Sequence, residues 1–162
     1  MKKISSCSLA VAVAAFSHFT ASAADTHLYV LGKGQHFIQT NSAAPVLAPA
    51  DQKPFEIFST VQPSGPELVT NAILRLPNKK DRVMTNFFDA FEFTRSFETK
   101  AQIDSAFPPG QYRFVIDNVN DGRKNTPLEL PPQAYPNVPR ILNFNELQEV
   151  EPGQNFDIAW AP

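Results

Sequence analysis

The sequence predicts an all-β sandwich, and three observations carry that prediction. Tyr112, Phe114 and Ile116 alternate with Arg113, Val115 and Asp117, the period-two pattern of a strand with one mainly apolar face. Asn118-Val-Asn-Asp-Gly122 follows at once, and Asp-Gly is a strong hairpin signal because both central residues of a type I′ turn need φ > 0. Thr126 to Leu130 then reads as the returning strand, with Leu128 and Leu130 on one face.

From the start of the globular part, Thr26-His-Leu-Tyr-Val-Leu-Gly32 reads as a first strand. Gly32-Lys33-Gly34 permits a turn or bulge before a second short strand over 35–40. Residues 41–53, with Pro45 and Pro49, have loop composition. Phe55 to Val61 has strand propensity and is stopped by Pro63-Ser-Gly-Pro66. Along Val69 to Leu76, the set Thr70, Ala72, Leu74 and Leu76 makes the better core face. Asn78 to Asp81 is a charged turn. Phe87 to Phe97 is the most aromatic stretch; Phe91, Phe93 and Phe97 share one face, and its phenylalanines are assigned to the core.

One short connecting helix is expected over 99–107. Thr99 and Gln102 fit the S/T-x-x-E/Q capping box, in which each side chain satisfies an unpaired N–H of the first turn. Ile103, Ala106 and Phe107 form its apolar stripe, and Pro108-Pro109 end it. Pro131, Pro132, Pro136 and Pro139 then mark a stiff extended connection. Arg140 to Asn143 reads as a strand, Phe144 to Gln148 as one helical turn capped by Asn143, and Pro152-Gly153 as a turn. Asn155 to Trp160 closes the sequence as an alternating strand.

Residues 1–23 have the form of an export signal. Lys2 and Lys3 precede a short apolar run from Leu9 to Phe16, and Ala21-Ser-Ala23 satisfies the small-x-small cleavage rule. Ser22 and Ala24 satisfy it equally, so the cut is expected after Ala23 or Ala24. The run falls short of the roughly 20 residues of a membrane-spanning helix. The expected destination is extracellular or periplasmic. Removing 23 of the 162 residues leaves 139, enough for one sandwich of about 100 residues and some extra chain. Cys7, the single cysteine, leaves with the signal, so no disulfide is expected. The net charge of −2 becomes −4 when Lys2 and Lys3 are lost. With no basic stripe interleaved with aromatics, nucleic acid is a poor partner.

Two stretches carry a family resemblance. The Trp160 strand with Pro139-Arg-Ile141 looks like the opening strands of a fibronectin type III or immunoglobulin-like module, where a tryptophan anchors the core. Pro109-Gly-Gln-Tyr112-Arg-Phe114 resembles a late strand of such modules, with a tyrosine that ties down the corner. The resemblance covers 107–130 and 139–162 and departs from true immunoglobulin domains in lacking the cysteine pair. It implies a tandem arrangement, as in large uncharacterised secreted bacterial multidomain proteins. One sandwich would span 24–131, and 132–162 would be a Pro-rich linker plus the opening strands of an incomplete second module. The alternative is that 139–160 fold back and complete the first domain.

Residues with chemical potential are few. His27 and His36 come with no nucleophile elbow and no orienting acid at a recognisable spacing. Acidic pairs such as Asp89 and Glu92, or Glu98 and Asp104, obey no spacing rule and read as solvated charge. The run from Asp117 to Gly122 fails as a calcium loop, because Val119 and Leu128 stand where ligands are needed. One metal possibility depends on processing. A cut after Ala24 would leave Asp25-Thr26-His27 as the free terminus, whose amine, two amides and imidazole can surround Cu(II) or Ni(II) in a plane. No cofactor is otherwise expected. The leading expectation is a non-catalytic exported module that spaces or presents neighbouring domains or contacts the cell exterior. The alternative is a carbohydrate-binding accessory module of a secreted hydrolase, for which Tyr29, Tyr135 and Trp160 are the candidate ligand platform.

Overall fold

The computed structural model describes residues 8–11, 25–132, 135, 138–149, 151, 153 and 155–161. Most of the expected leader, both cleavage positions at Ala23 and Ala24, and Pro136 and Pro152 lie outside the described residues. The described fold is all-β and antiparallel, with one α-helix.

Its longest strand sets the frame. β1 (Ser8–Val11) pairs antiparallel with β2 (Thr26–Ile38), placing Ser8 opposite Ile38 and Val11 opposite Gln35. The expected turn at Gly32-Lys33-Gly34 does not form, and β2 runs straight through it. The glycines serve the neighbouring strand instead. β4 (Phe55–Pro63) places Phe58 opposite Gly32, and a methyl group on Gly32 would come within 2.5 Å of the Phe58 ring. The missing side chain thus seats a cross-strand aromatic. β4 alternates without a break, and Phe55, Ile57, Ser59 and Val61 point inward.

β2 also pairs with the short β3 (Val46–Leu47), and β4 pairs with β8 (Ala90–Phe97). β7 (Thr85–Phe87) completes this first sheet, in the order β1-β2-β4-β8-β7. The second sheet runs β10-β9-β5-β6, from β5 (Val69–Arg75), β6 (Asp81–Val83), β9 (Gly110–Asn118) and β10 (Gly122–Leu130). Both sheets send side chains into one core that holds Ile57, Val61, Leu74, Phe91, Tyr112 and Phe114. Each such side chain, fully buried, contributes roughly 1.5–3 kcal/mol.

Two details shift the expected faces. In β5 and at Leu76 just after it, Ala72, Leu74 and Leu76 are buried as their alternation predicts, but Thr70 is exposed and Val69 is buried in its place. A register shift between Val69 and Asn71 swaps the parity at that point. The aromatic stretch does not run as one strand. It folds back at Phe88-Asp89, both at positive φ (47° and 65°), so Phe91 and Phe97 enter the core while Phe87 and Phe88 stand in solvent. Assigning every phenylalanine to the core was therefore wrong for these two.

The helix α1 (Lys100–Ala106) carries the expected capping box, with Gln102 N–H donating to Thr99 Oγ1 and the Gln102 side chain accepting from the Thr99 backbone. It buries Ile103, and Phe107 just after it is also fully buried. At the β9–β10 turn only Gly122 is left-handed (φ 68°), so the connection is a three-residue loop, Val119-Asn-Asp121, rather than the expected type I′ turn. Finally, β11 (Arg140–Ile141) and β12 (Trp160–Ala161) form a two-stranded sheet of their own. The longer strands expected at 140–143 and 155–160 shrink to these pairs, and the expected helical turn is a 3-10 turn over Glu146–Gln148.

Candidate functional site

Three places gather polar or exposed groups that the core does not explain. The first lies where β2 begins. The buried Asp25 carboxylate accepts from the backbone N–H of Asn120 (2.6 Å) and Asp121 (3.0 Å) and from the Asn120 amide (2.9 Å). Asp25 N–H in turn donates to Asp121 Oδ2 at 3.3 Å, and the Thr26 hydroxyl donates to Asn118 Oδ1 at 2.8 Å. These bonds tie the start of β2 in one sheet to the hairpin loop of the other. The Asn120 side-chain hydrogen bond leads the causes that hold Asp25 below the usual carboxylate range, and they outweigh its burial.

This arrangement bears on the metal possibility. Asp25 and Thr26 are buried while His27 is exposed. The Asp25 nitrogen faces Asp121, and Thr26 lies in the ladder opposite Pro63.

The second place is a buried ion pair. Lys33, fully enclosed in β2, meets Asp104 of α1 at 2.8 Å, and Lys100 pairs with the other oxygen of the same carboxylate. Burial alone would raise Asp104, but the bonds and charges of Lys100 and Lys33 together bring it below its ordinary value. Tyr135 packs its ring edge-on against Phe55 at 6.4 Å, with the Lys100 ammonium 5.7 Å above it. Its buried hydroxyl has no hydrogen-bond partner among the described residues, and burial, helped by Asp104, pushes it up to about 12. Two ammonium groups sharing one carboxylate provide charge compensation and no free nucleophile.

The third place is the hairpin of β11 and β12. Leu142, Phe156, Ile158 and Trp160 are each more than half exposed, Trp160 at 66%. Phe156, Ile158 and Trp160 share one parity, so the alternation read in the sequence is present but its apolar set meets solvent. Asn143 holds the hairpin internally, donating to Asp157 O and accepting from Ala159 N–H. Gln39 bonds both polar groups of Ile141, donating to its carbonyl (2.9 Å) and accepting from its N–H (2.9 Å), and Arg140 reaches Ser42 O.

Two of the three aromatics of the candidate sugar platform, Tyr29 and Tyr135, lie apart. Tyr29 is half-buried against Phe114, with ring centroids 5.5 Å apart, and burial raises its hydroxyl pKa. It stands opposite Val61 near the end of β4, whereas Tyr135 packs on Phe55 at the start of that strand, about 20 Å away. Trp160 is on the separate hairpin.

His36 is partly exposed, 3.9 Å from Glu56, and His27 is exposed on β2. An open depression of about 660 Å³ lies beside α1, where Lys53, Arg95, Glu98 and Gln102 line it without a histidine or cysteine. Among the described residues, no three of His, Cys, Asp and Glu gather as a metal site, and no helix is long and apolar enough to cross a membrane.

The signals that sequence reasoning missed were local. Lys33 between two glycines read as a turn, although a lysine there can be drawn into a strand whose neighbours leave room for it. Asp25 was weighed only as a metal ligand, although a carboxylate next to the first strand is also a ready acceptor for loop N–H groups. No family model, curated protein or solved structure matches the chain.

Proposed function

We propose that this chain is a non-catalytic, exported β-sandwich module of the fibronectin type III or immunoglobulin-like kind, serving to space or present adjoining domains or to make contacts outside the cell. The observation that carries this reading is the solvent exposure of Phe156, Ile158 and Trp160, which share one parity, with Leu142 exposed as well. A two-stranded hairpin gains little from exposed apolar side chains, whereas the inner face of a second sandwich consists of such residues. Residues 139–161 are then the opening strands of that next module, and the preceding prolines are the spacer.

Further support comes from the Tyr112 hydroxyl, which donates to Pro108 O four residues upstream at 2.7 Å, the bond that a tyrosine corner makes. The extracytoplasmic destination rests on the leader composition, and the absence of a disulfide on the single cysteine at position 7.

The test is a chain ended at Val138, which keeps the Tyr135 ring on Phe55. In this reading it melts within a few degrees of the full chain, because the hairpin belongs to another unit. A large drop in melting temperature would mean that 139–161 complete the first domain, and the tandem reading would be withdrawn.

A further inference from the structure

We propose that removal of the leader uncovers the outer edge of β2, and that the mature chain pairs this edge with the same edge of a second copy in an antiparallel, two-fold dimer. This rests on the export reading above and goes beyond it by naming a partner and the surface that receives it.

The leader itself shows what the edge accepts. Ser8-Leu-Ala-Val11 lies antiparallel along β2, from Ser8 opposite Ile38 to Val11 opposite Gln35. His36 turns its N–H to Pro54 O (2.8 Å) and its C=O to Ala48 N–H (2.9 Å), both on the side of β3 and β4. Backbone groups alternate along a strand, so Tyr29, Leu31, Lys33, Gln35 and Phe37 direct theirs to the opposite side. β1 reaches only Gln35 and Phe37 of these, and among the described residues no strand covers the others. When the leader goes, β1 goes with it, and all five residues present unpaired donors and acceptors.

An open edge is ordinarily guarded by charge, by proline or by shortness, and the other edges of the two sheets are. β10 carries Arg123, Lys124, Pro127 and Glu129 along its length, and β6 and β7 have three residues each. β2 lacks such guards. A register shift ends the regular edge at Leu28, and from there to Ile38 the strand has no proline and no acid. Its one fixed charge, Lys33, is already enclosed and paired with Asp104, so an added strand desolvates no further charge there.

A partner strand must have a free edge of its own. Among the described strands of a second copy, β2 is the long edge without a guard. Antiparallel pairing of two identical edges closes about a two-fold axis and leaves neither exposed.

The experiment expresses the full chain with its leader in an exporting bacterial host. The mass of the exported product is determined, and its association is followed by sedimentation over a range of concentrations. A leaderless product at twice the monomer mass is expected. A leaderless product that stays monomeric at every concentration overturns the pairing and leaves export intact; a product that keeps its leader overturns both. Gln35→Pro deletes one outward N–H, twice per dimer by symmetry, and should weaken association about tenfold or more. The wild-type dimer is also titrated with a synthetic peptide of residues 8–14, a measurement that needs no variant to fold. The peptide should compete for the edge through its own backbone and return the protein to monomers. A folded variant that associates like wild type, or a dimer that saturating peptide leaves intact, overturns the edge assignment.

Discussion

Lys33 Nζ lies 2.8 Å from Asp104 Oδ1, so the middle of the longest strand is pinned to the only described α-helix by a fully enclosed ammonium. Lysine is rarely this deep, and it is tolerated here because Asp104 supplies a counter-charge within hydrogen-bond distance.

Removing the carboxylate therefore costs more than removing the amine. Asp104→Asn leaves Lys33 enclosed without a counter-charge, a change worth on the order of 3–5 kcal/mol for a fully buried pair and less here, because about a third of the Asp104 side chain is exposed. Lys33→Met removes the desolvation penalty with the charge and should be near neutral. Urea unfolding of the two variants checks this. Equal losses would show that the pair is not buried in solution.

Acid should loosen the Asp25 contacts. The folded carboxyl lies below its unfolded value, so its contribution is present above about pH 4 and is lost as pH falls through the lowered folded value. Asp25→Asn should accordingly melt lower than wild type at pH 7, and the gap should narrow below pH 4. Calorimetry across that range gives the comparison, and a gap independent of pH would count against the buried carboxylate.

Tyr112→Phe removes the donor to Pro108 O and keeps the ring, for an expected loss of about 0.5–1.5 kcal/mol. Burial raises this hydroxyl, so it stays protonated and donates throughout the usual alkaline range. Denaturant titration of the variant measures the bond. A neutral result would mean that the ring alone holds the corner.

At the β7–β8 turn, Phe88 and Asp89 occupy left-handed backbone with the Phe88 ring 88% exposed. A bulky residue in that region costs roughly 1–2 kcal/mol relative to glycine. Replacing the pair by Asn-Gly supplies the residues that such a turn favours and should stabilise the protein by about 1 kcal/mol. Thermal melting reports it; a less stable double variant would mean that the edge-on contact of the Phe88 ring with Phe87, centroids 4.5 Å apart, outweighs the backbone strain.

Trp160, the single tryptophan, is a natural reporter of the hairpin. At 66% exposure its emission should be red-shifted and readily quenched by acrylamide, and soluble polysaccharides should leave it unchanged. A blue shift that deepens with protein concentration would show the stripe covered by a second copy, and a saturable response to a polysaccharide would favour sugar binding instead.

Much of this architecture was legible from the amino acids. The capping box at Thr99 and Gln102 fixed the helix start because both partners are local. The alternation of Tyr112, Phe114 and Ile116 identified a core strand because neighbours on both sheets reward that period. What escaped notice depended on distant partners. Gly32 became part of a long strand only because Phe58 lies across from it, and Thr70 lost its inward place to a register shift set by β9. Phe88-Asp89 turns without glycine, which no local rule favours. The candidate site was legible in part: the Phe156, Ile158 and Trp160 pattern was plain, while the solvent on its apolar side is a tertiary fact.

The way Gln39 grips Ile141 has a mechanical consequence. A load pulling on residue 161 meets two paired residues of β11 and β12, then the two Gln39 bonds and the Arg140 contact, well before it reaches the nine paired residues of β9 and β10. Under stretching the short hairpin gives way first and lengthens the tether, so the larger sheets are shielded from the force by a weak link placed at their margin.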